Sequence, residues 1–282
     1  MLTAIILNYN DAPATLKLYH TLQHYRVVEH IILVDGASTD NSYAVLQPCA
    51  GPKTTVLLAD KNGGYGYGNN IGLRYSQKLG ASYALVINPD VCVEESALKS
   101  CLDLFAQYPN AAAVAPQMQY RIAAYRKVPA LQDMWVEFLV VNRLCNPRAY
   151  PKSYFNHKTA CEVDALPGSC VLFDLEKFAA CGFYDEHIFL YHEELAIGCK
   201  LRQKKYISLL NVTQHYAHER SASVKKTLSP LQIKRISLQS HAYYLKNYLQ
   251  ASWGTRALLK LLTPLVYAES LIWAVLKKKR SV

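Results

Sequence analysis

Charge is scarce in this chain. Only 18% of its 282 residues are Asp, Glu, Lys or Arg, against 51% hydrophobic, which excludes a largely disordered polymer and leaves enough apolar material for a sizeable core. Cys-x-x-Cys spacing is missing from the eight cysteines, so neither a zinc site nor a redox dithiol is expected; they read as reduced, mostly buried thiols of a cytosolic protein. A secretory signal is also lacking: the opening run, Leu2 to Leu7, is only a strand long before polar Asn8-Tyr9-Asn10. The most uneven scarcity is of acid. Residues 1–199 carry 15 Lys/Arg against 19 Asp/Glu, a net −4, whereas residues 200–282 carry 16 against Glu219 and Glu269 alone, a net +14. Such a C-terminal third suits an acidic partner, anionic lipid or nucleic acid, or else is simply a solvated helix face. It contains no recognisable nucleic-acid motif, and no nucleic acid is expected. An uninterrupted membrane-length apolar run is missing too. Ala257–Leu276 has the length to span a bilayer but contains Lys260, Pro264 and Glu269, so an in-plane amphipathic helix ending in Lys277-Lys278-Lys279-Arg280 is the expectation, with a helix packed on the protein's own core as the alternative.

What is present begins with alternation. Short apolar runs at Thr3–Leu7, His30–Val34, Thr54–Leu58, Tyr83–Ile87 and Ala112–Ala115 are separated by helical stretches at Ala12–Tyr25, Asn41–Gln47, Asn69–Leu79 and Glu94–Gln107. Continuous apolar strands between helices predict an α/β fold with a mainly parallel, Rossmann-like sheet buried on both faces. Residues 117–160 read as a long excursion from that sheet, Cys170–Phe173 as a returning strand, and the chain from Leu228 onward as helical.

The carboxyl ends of these strands carry polar residues: Asn8-Tyr9-Asn10, Asp35-Gly36 and Asn88-Pro89-Asp90. Ligands of open parallel sheets bind at such ends, although Asn, Asp and Gly also favour ordinary turns. A carboxylate at Asp35 has the chemistry to accept the N3–H of a pyrimidine, and Ser38 or Asp40 to cap the helix that follows. The glycines within Asn62–Asn70 permit close backbone approach to a ligand before a helix N-terminus that favours phosphate, yet their position is not that of a dinucleotide fingerprint. Asp90 has the hard oxygen chemistry for a divalent ion bridging a diphosphate. Adjacent Glu193 and Glu194, after the aromatic run that ends in Tyr191, offer a general base, or else simply an acidic first helical turn.

Taken in order, Ile6–Asn10, Val34–Asp40, Asn62–Asn70, Ile87–Asp90, Pro167-Gly168-Ser169 and Gly182–Glu186 with Tyr191–Glu194 resemble family 2 glycosyltransferases of the GT-A fold, most similar to bacterial rhamnosyltransferase-like members. The resemblance covers roughly residues 2 to 223. It implies a GT-A domain over 1–225 and a basic, helical, membrane-associating appendage over 226–282. It implies an inverting enzyme that moves a sugar from a nucleotide donor, dTDP-L-rhamnose foremost and a UDP-hexose or UDP-N-acetylhexosamine otherwise. The acceptor would be a glycan or polyprenyl-linked glycan of bacterial surface polysaccharide or cell-wall synthesis, met at the inner face of the cell membrane. Glu194 would be the base, with Glu193 beside it. Asn8, Tyr9, Asn10, Asp35, Asn62, Gly63, Asn70 and Asn88 would line the donor pocket. Asp90, with His215 or His218, would meet Mg²⁺ or Mn²⁺. Two departures stand out: Asn88 replaces the first Asp of the family's Asp-x-Asp metal motif, and Glu194 replaces its usual Asp. A non-catalytic nucleotide-binding protein at the membrane surface is the reading from another class; it gives no reason for paired carboxylates.

Overall fold

The computed structural model describes residues 1–119, 150–218 and 228–279, without the side chains of Lys152 and residues 270–279. Most of the expected excursion, the boundary near residue 225, and Glu219 and Arg280 lie outside the described residues.

Nine strands form one sheet. The first four are β1 (Leu2–Asn8), β2 (His30–Asp35), β3 (Thr54–Leu58) and β4 (Tyr83–Ile87); then come β5 (Val91–Val93), β6 (Ala111–Met118), β7 (Ala160–Val163), β8 (Cys170–Asp174) and β9 (Ile207–His218). Their order is β3-β2-β1-β4-β8-β6-β9-β5, with β7 also paired to β9. The predicted parallel sheet holds for β3-β2-β1-β4, where β1 pairs parallel with both β2 and β4. It then turns mixed: β8 runs antiparallel to β4 and β6, and β5 and β7 run antiparallel to β9. β9 itself runs parallel to β6, so the reversal is confined to β5, β7 and β8.

Alternate side chains of the buried strands feed two cores. Ala4, Ile6, Ile31 and Leu33 meet α1 (Ala12–Gln23) and α4 (Glu95–Gln107) on one face. Ile5, Ile32, Val34 and Phe173 meet α3 (Tyr65–Lys78), α5 (Leu175–Ala180) and α6 (Glu193–Gln203) on the other. A short α2 (Ser42–Leu46) follows β2. Within it and its approach, Asp40 accepts the Ser42 N–H at 2.8 Å, while Ser38 serves Asp35 instead of a cap.

The C-terminal helices are α7 (Pro230–Asn247), opened by a Ser229–Gln232 capping box, and α8 (Trp253–Lys279), which contains Pro264. α7 is more than an appendage. Its Ser240, His241, Tyr244 and Leu245 are buried. Ser240 donates to the Leu190 carbonyl at 2.7 Å, and Tyr248, just past the helix, donates to Asp185 at 2.7 Å. Burial raises the Asp185 carboxyl, but hydrogen bonds from Tyr248, His187 and Tyr243 outweigh it and leave the group below its ordinary value. No helix among the described residues is long and apolar enough to cross a membrane.

Candidate active site

The predicted residues divide by what they touch. Asn8 and Asp35 end neighbouring strands in register. Both are fully buried. Asn8 Nδ2 donates to Asp35 Oδ2 at 2.8 Å, and Thr15 Oγ1 donates to Asn8 Oδ1 at 2.9 Å. The Ser38 N–H and hydroxyl each donate to Asp35 at 2.8 Å. Asp35 thus accepts three hydrogen bonds from its own chain and fastens the loop after β2. Tyr9 and Asn10 remain partly exposed. Asn10 sits at φ 53° and bonds Thr39 in both directions, through Oδ1 at 2.8 Å and Nδ2 at 3.0 Å.

The glycine-rich stretch is corrected by its surroundings. α3 begins at Tyr65, four residues before the predicted start, so two of the four glycines, Gly66 and Gly68, lie inside its first turn and Gly64 caps it. Gly64 has φ +92°, and a Cβ there would lie 2.2 Å from the Phe189 carbonyl oxygen; at Gly66 it would lie 2.9 Å from Tyr184 Cβ. These glycines let the helix press against residues 184–189. The Tyr65 N–H, at the helix start, already donates to the Phe189 carbonyl at 2.8 Å. Asn70, expected in the donor pocket, is buried and holds the same segment. It donates to the Tyr184 carbonyl at 3.0 Å and to Glu186 at 2.8 Å, and accepts the Tyr184 N–H at 3.0 Å. Asn62 is exposed, with its side chain accepting the Gly64 N–H.

The other half of the prediction converges. β5 pairs antiparallel with the end of β9, so Val91 faces His218. Asp90, one residue before, lies with its Oδ1 3.1 Å from His218 Nε2. Asp90 and His218 are 12% and 19% exposed. His215 is exposed and pairs with Gln117 in the ladder. Three residues apart on a strand, the two histidines point to opposite faces, and only His218 reaches Asp90.

Gly168–Ser169 joins this pair to the carboxylates. The Asn88 N–H donates to the Ser169 carbonyl at 2.9 Å. The Ser169 hydroxyl meets Tyr216 OH at 2.8 Å. The Gly168 N–H lies 3.4 Å from Glu194 Oε1. The Tyr65 hydroxyl, 2.6 Å from the Gly168 carbonyl oxygen and 3.0 Å from Asn88 Oδ1, divides its one proton between them. Sequence reasoning did not single out Tyr65 or Tyr216; an aromatic hydroxyl reveals its partner only once distant segments meet.

Glu193 and Glu194 open α6 after Tyr191 and His192, both left-handed at φ 70° and 72°. Glu193 is 6% exposed. Burial, then the neighbouring charge of Glu194, pushes its carboxyl up to about 8. Glu194 is partly exposed and lines a small cavity with Leu166, Gly168, Val171, Tyr184 and Ile197. The two adjacent carboxylates therefore have opposite characters: one is held neutral in the interior, the other is reachable.

Residues 3–179 match the family model described as Glycosyl transferase family 2. The chain is 26% identical over 204 residues to the low-salt glycan biosynthesis hexosyltransferase Agl10 of Haloferax volcanii, a match covering 72% of this chain and 62% of that protein. It therefore spans less than two thirds of that relative's length. It is 25% identical over 221 residues to the N-acetylglucosaminyl-diphospho-decaprenol L-rhamnosyltransferase of Mycobacterium tuberculosis, covering 67% of each. Among solved structures it is similar to the mannosyltransferase PcManGT from Pyrobaculum calidifontis in complex with GDP-Man and Mn²⁺, with a TM-score of 0.57 and 15% identity over 96% of this chain and 73% of that one.

Proposed function

The chain belongs to glycosyltransferase family 2 and has the GT-A fold, and from that premise we propose that it is an inverting, metal-assisted enzyme that moves a hexosyl unit from a nucleoside diphosphate donor to a glycan hydroxyl. The observation that carries this reading is that Gly168–Ser169 links Glu194 to the strand ends bearing the Asp90–His218 pair, Asp90 coming from a segment more than 100 residues before the other two.

Asp90 and His218 are the residues that would hold a divalent cation. Among the described residues no group of three or more His, Cys, Asp or Glu is gathered for a metal. One carboxylate and one imidazole are a donor set that would suit Mg²⁺ or Mn²⁺ shared with a nucleotide. When bound, the ion supplies positive charge to the departing diphosphate.

Glu194 takes the proton from the acceptor hydroxyl. That oxygen forms its bond to the anomeric carbon from the face opposite the diphosphate. The bond from the carbon to the diphosphate oxygen breaks, and its electron pair leaves with the nucleoside diphosphate, so the configuration inverts. Glu193, neutral near pH 7, does not compete for the proton. Tyr65 holds the Asn88 loop against Gly168 and hence against Glu194. Asn8 and Asp35 stiffen the donor wall that displays Tyr9 and Asn10; Asn62, Gly63 and Asn88 border the same side.

The name of the mycobacterial relative supports L-rhamnose as the sugar moved, for which our proposed donor is dTDP-L-rhamnose, and the haloarchaeal one supports another hexose. We place the enzyme peripherally on the inner face of a membrane, with a polyprenyl-linked acceptor in surface polysaccharide synthesis. Residues 1–225 would form the catalytic unit and the rest an arm packed on it.

The test is donor hydrolysis without acceptor, over dTDP-rhamnose, UDP-glucose, UDP-galactose, UDP-N-acetylglucosamine and GDP-mannose, each with Mg²⁺, Mn²⁺ or chelator. Metal-dependent release of one nucleoside diphosphate, lost in Asp90→Ala, is expected. Absence of both release and binding for every donor would overturn the reading.

A further inference from the structure

The apolar residues of α8 form two stripes. One, Leu259, Leu262 and Val266 at i, i+3 and i+7, packs against Leu238, Leu245 and Leu249 of the preceding helix and its end. The other, Leu258, Leu261 and Leu265, has the same spacing but faces outward. Leu258 is 45% exposed, Leu261 76% and Leu265 59%, and Trp253 at the start of the helix is 78% exposed. Single exposed apolar side chains are ordinary, but a row of leucines at helical spacing is a surface that binds something.

The surrounding charge says what. Residues 228–282 carry nine Lys or Arg against Glu269 alone. A second copy of the chain would bring the same excess positive charge to this face, which disfavours self-association. An anionic surface with an apolar interior complements both properties, and a tryptophan at the edge of the stripe is suited to a membrane–water boundary. No described helix crosses a bilayer, so the contact is in-plane.

We propose that the Leu258–Leu261–Leu265 row of α8, with exposed Trp253 at the helix start, is a docking surface for an anionic lipid bilayer, lying in the interface while the neighbouring stripe, about 100° round the helix, stays on α7. This deepens the proposed membrane placement by naming the side chains that enter the lipid; it rests on that placement and not on the transfer chemistry. Because α7 also holds Leu190 and Asp185, docking orients the segment that leads to Glu193 and Glu194 relative to the lipid.

The experiment is co-sedimentation of the full chain with vesicles of phosphatidylcholine containing 25% phosphatidylglycerol, or of phosphatidylcholine alone, from low to high salt. A triple variant, Leu258→Asn, Leu261→Asn and Leu265→Asn, is compared with the wild type. Thermal unfolding and donor hydrolysis are followed in both, so that a fold defect or a failed donor assignment is seen separately. The wild type is expected to bind the anionic vesicles, less so at high salt, and the triple variant to partition about a hundredfold more weakly with unchanged unfolding. A second, Lys260→Gln variant should weaken binding less than tenfold and only at low salt. Equal binding by the triple variant, or no binding of wild type to anionic vesicles, would overturn the proposal. So would light scattering showing a wild-type dimer that the triple variant loses, which would make the face an interface between copies.

Discussion

At the ends of β1 and β2, Asn8, Thr15, Asp35 and Ser38 satisfy one another. At the ends of β5 and β9, Asp90 and His218 meet at 3.1 Å and, among the described residues, make no other side-chain hydrogen bond. The first region is a closed network in which each donor has its acceptor. The second is an open pair with coordination capacity left over. The contrast separates two kinds of polar cluster: a closed one gives rigidity, while an open pair keeps ligand atoms to spare, and it is to the open pair that we assign the chemistry.

The comparison is sharpened most by Glu194→Gln. Turnover should fall at least about 100-fold with the donor KM nearly unchanged, in steady-state transfer assays; near-wild-type turnover would remove Glu194 from the base role. Next, His218→Ala should raise the Mn²⁺ concentration for half-maximal donor hydrolysis about 10- to 100-fold, whereas His215→Ala should change it less than about twofold. Equal effects at the two histidines would break the argument from strand parity. Smaller still, and of another kind, Asp35→Ala should cost about 1–3 kcal/mol of stability by stranding the Ser38 and Asn8 donors, seen as a lower Tm. An unchanged Tm with a lost donor KM would show that the closed network is in fact a ligand site.

The smallest effect concerns Glu193. Its folded carboxyl, raised to about 8, keeps a proton that the unfolded chain gives up near 4.5. Its contribution to stability is therefore full below about pH 4.5 and is lost as pH rises toward about 8. Glu193→Gln should raise Tm at pH 8 by about 2–4 °C, flatten the stability profile between these pH values, and leave transfer within about threefold. A Tm that depends on pH as in the wild type would place the proton elsewhere.

The closed region was the more legible of the two, and the easier to misread. Its strands follow from continuous apolar runs, and β3 and β4 fall where the runs place them. The roles of Asn8, Asp35 and Asn70 do not follow, because one side chain suits a ligand or a neighbour equally well until burial decides. In the open region the three-residue β5 is too short for any periodicity to mark. β9 is a long strand whose middle is polar, so its alternation of faces, the one signal that separates His215 from His218, was not read. Gly168 and Tyr65 gain meaning only from contacts that link 168 to 194 and 65 to 168, separations that no local pattern encodes.

The two glycines at the start of α3 also limit how the enzyme can vary over generations. At Gly64 any side chain meets the Phe189 backbone, and at Gly66 it meets Tyr184; both contacts lie in the segment that leads to the paired glutamates. A substitution at either site cannot be absorbed by a rotamer change and would displace the segment that leads to Glu193 and Glu194. Variation is thus turned away from these two positions, and the seam between the start of α3 and residues 184–189 is kept by the absence of two methyl groups.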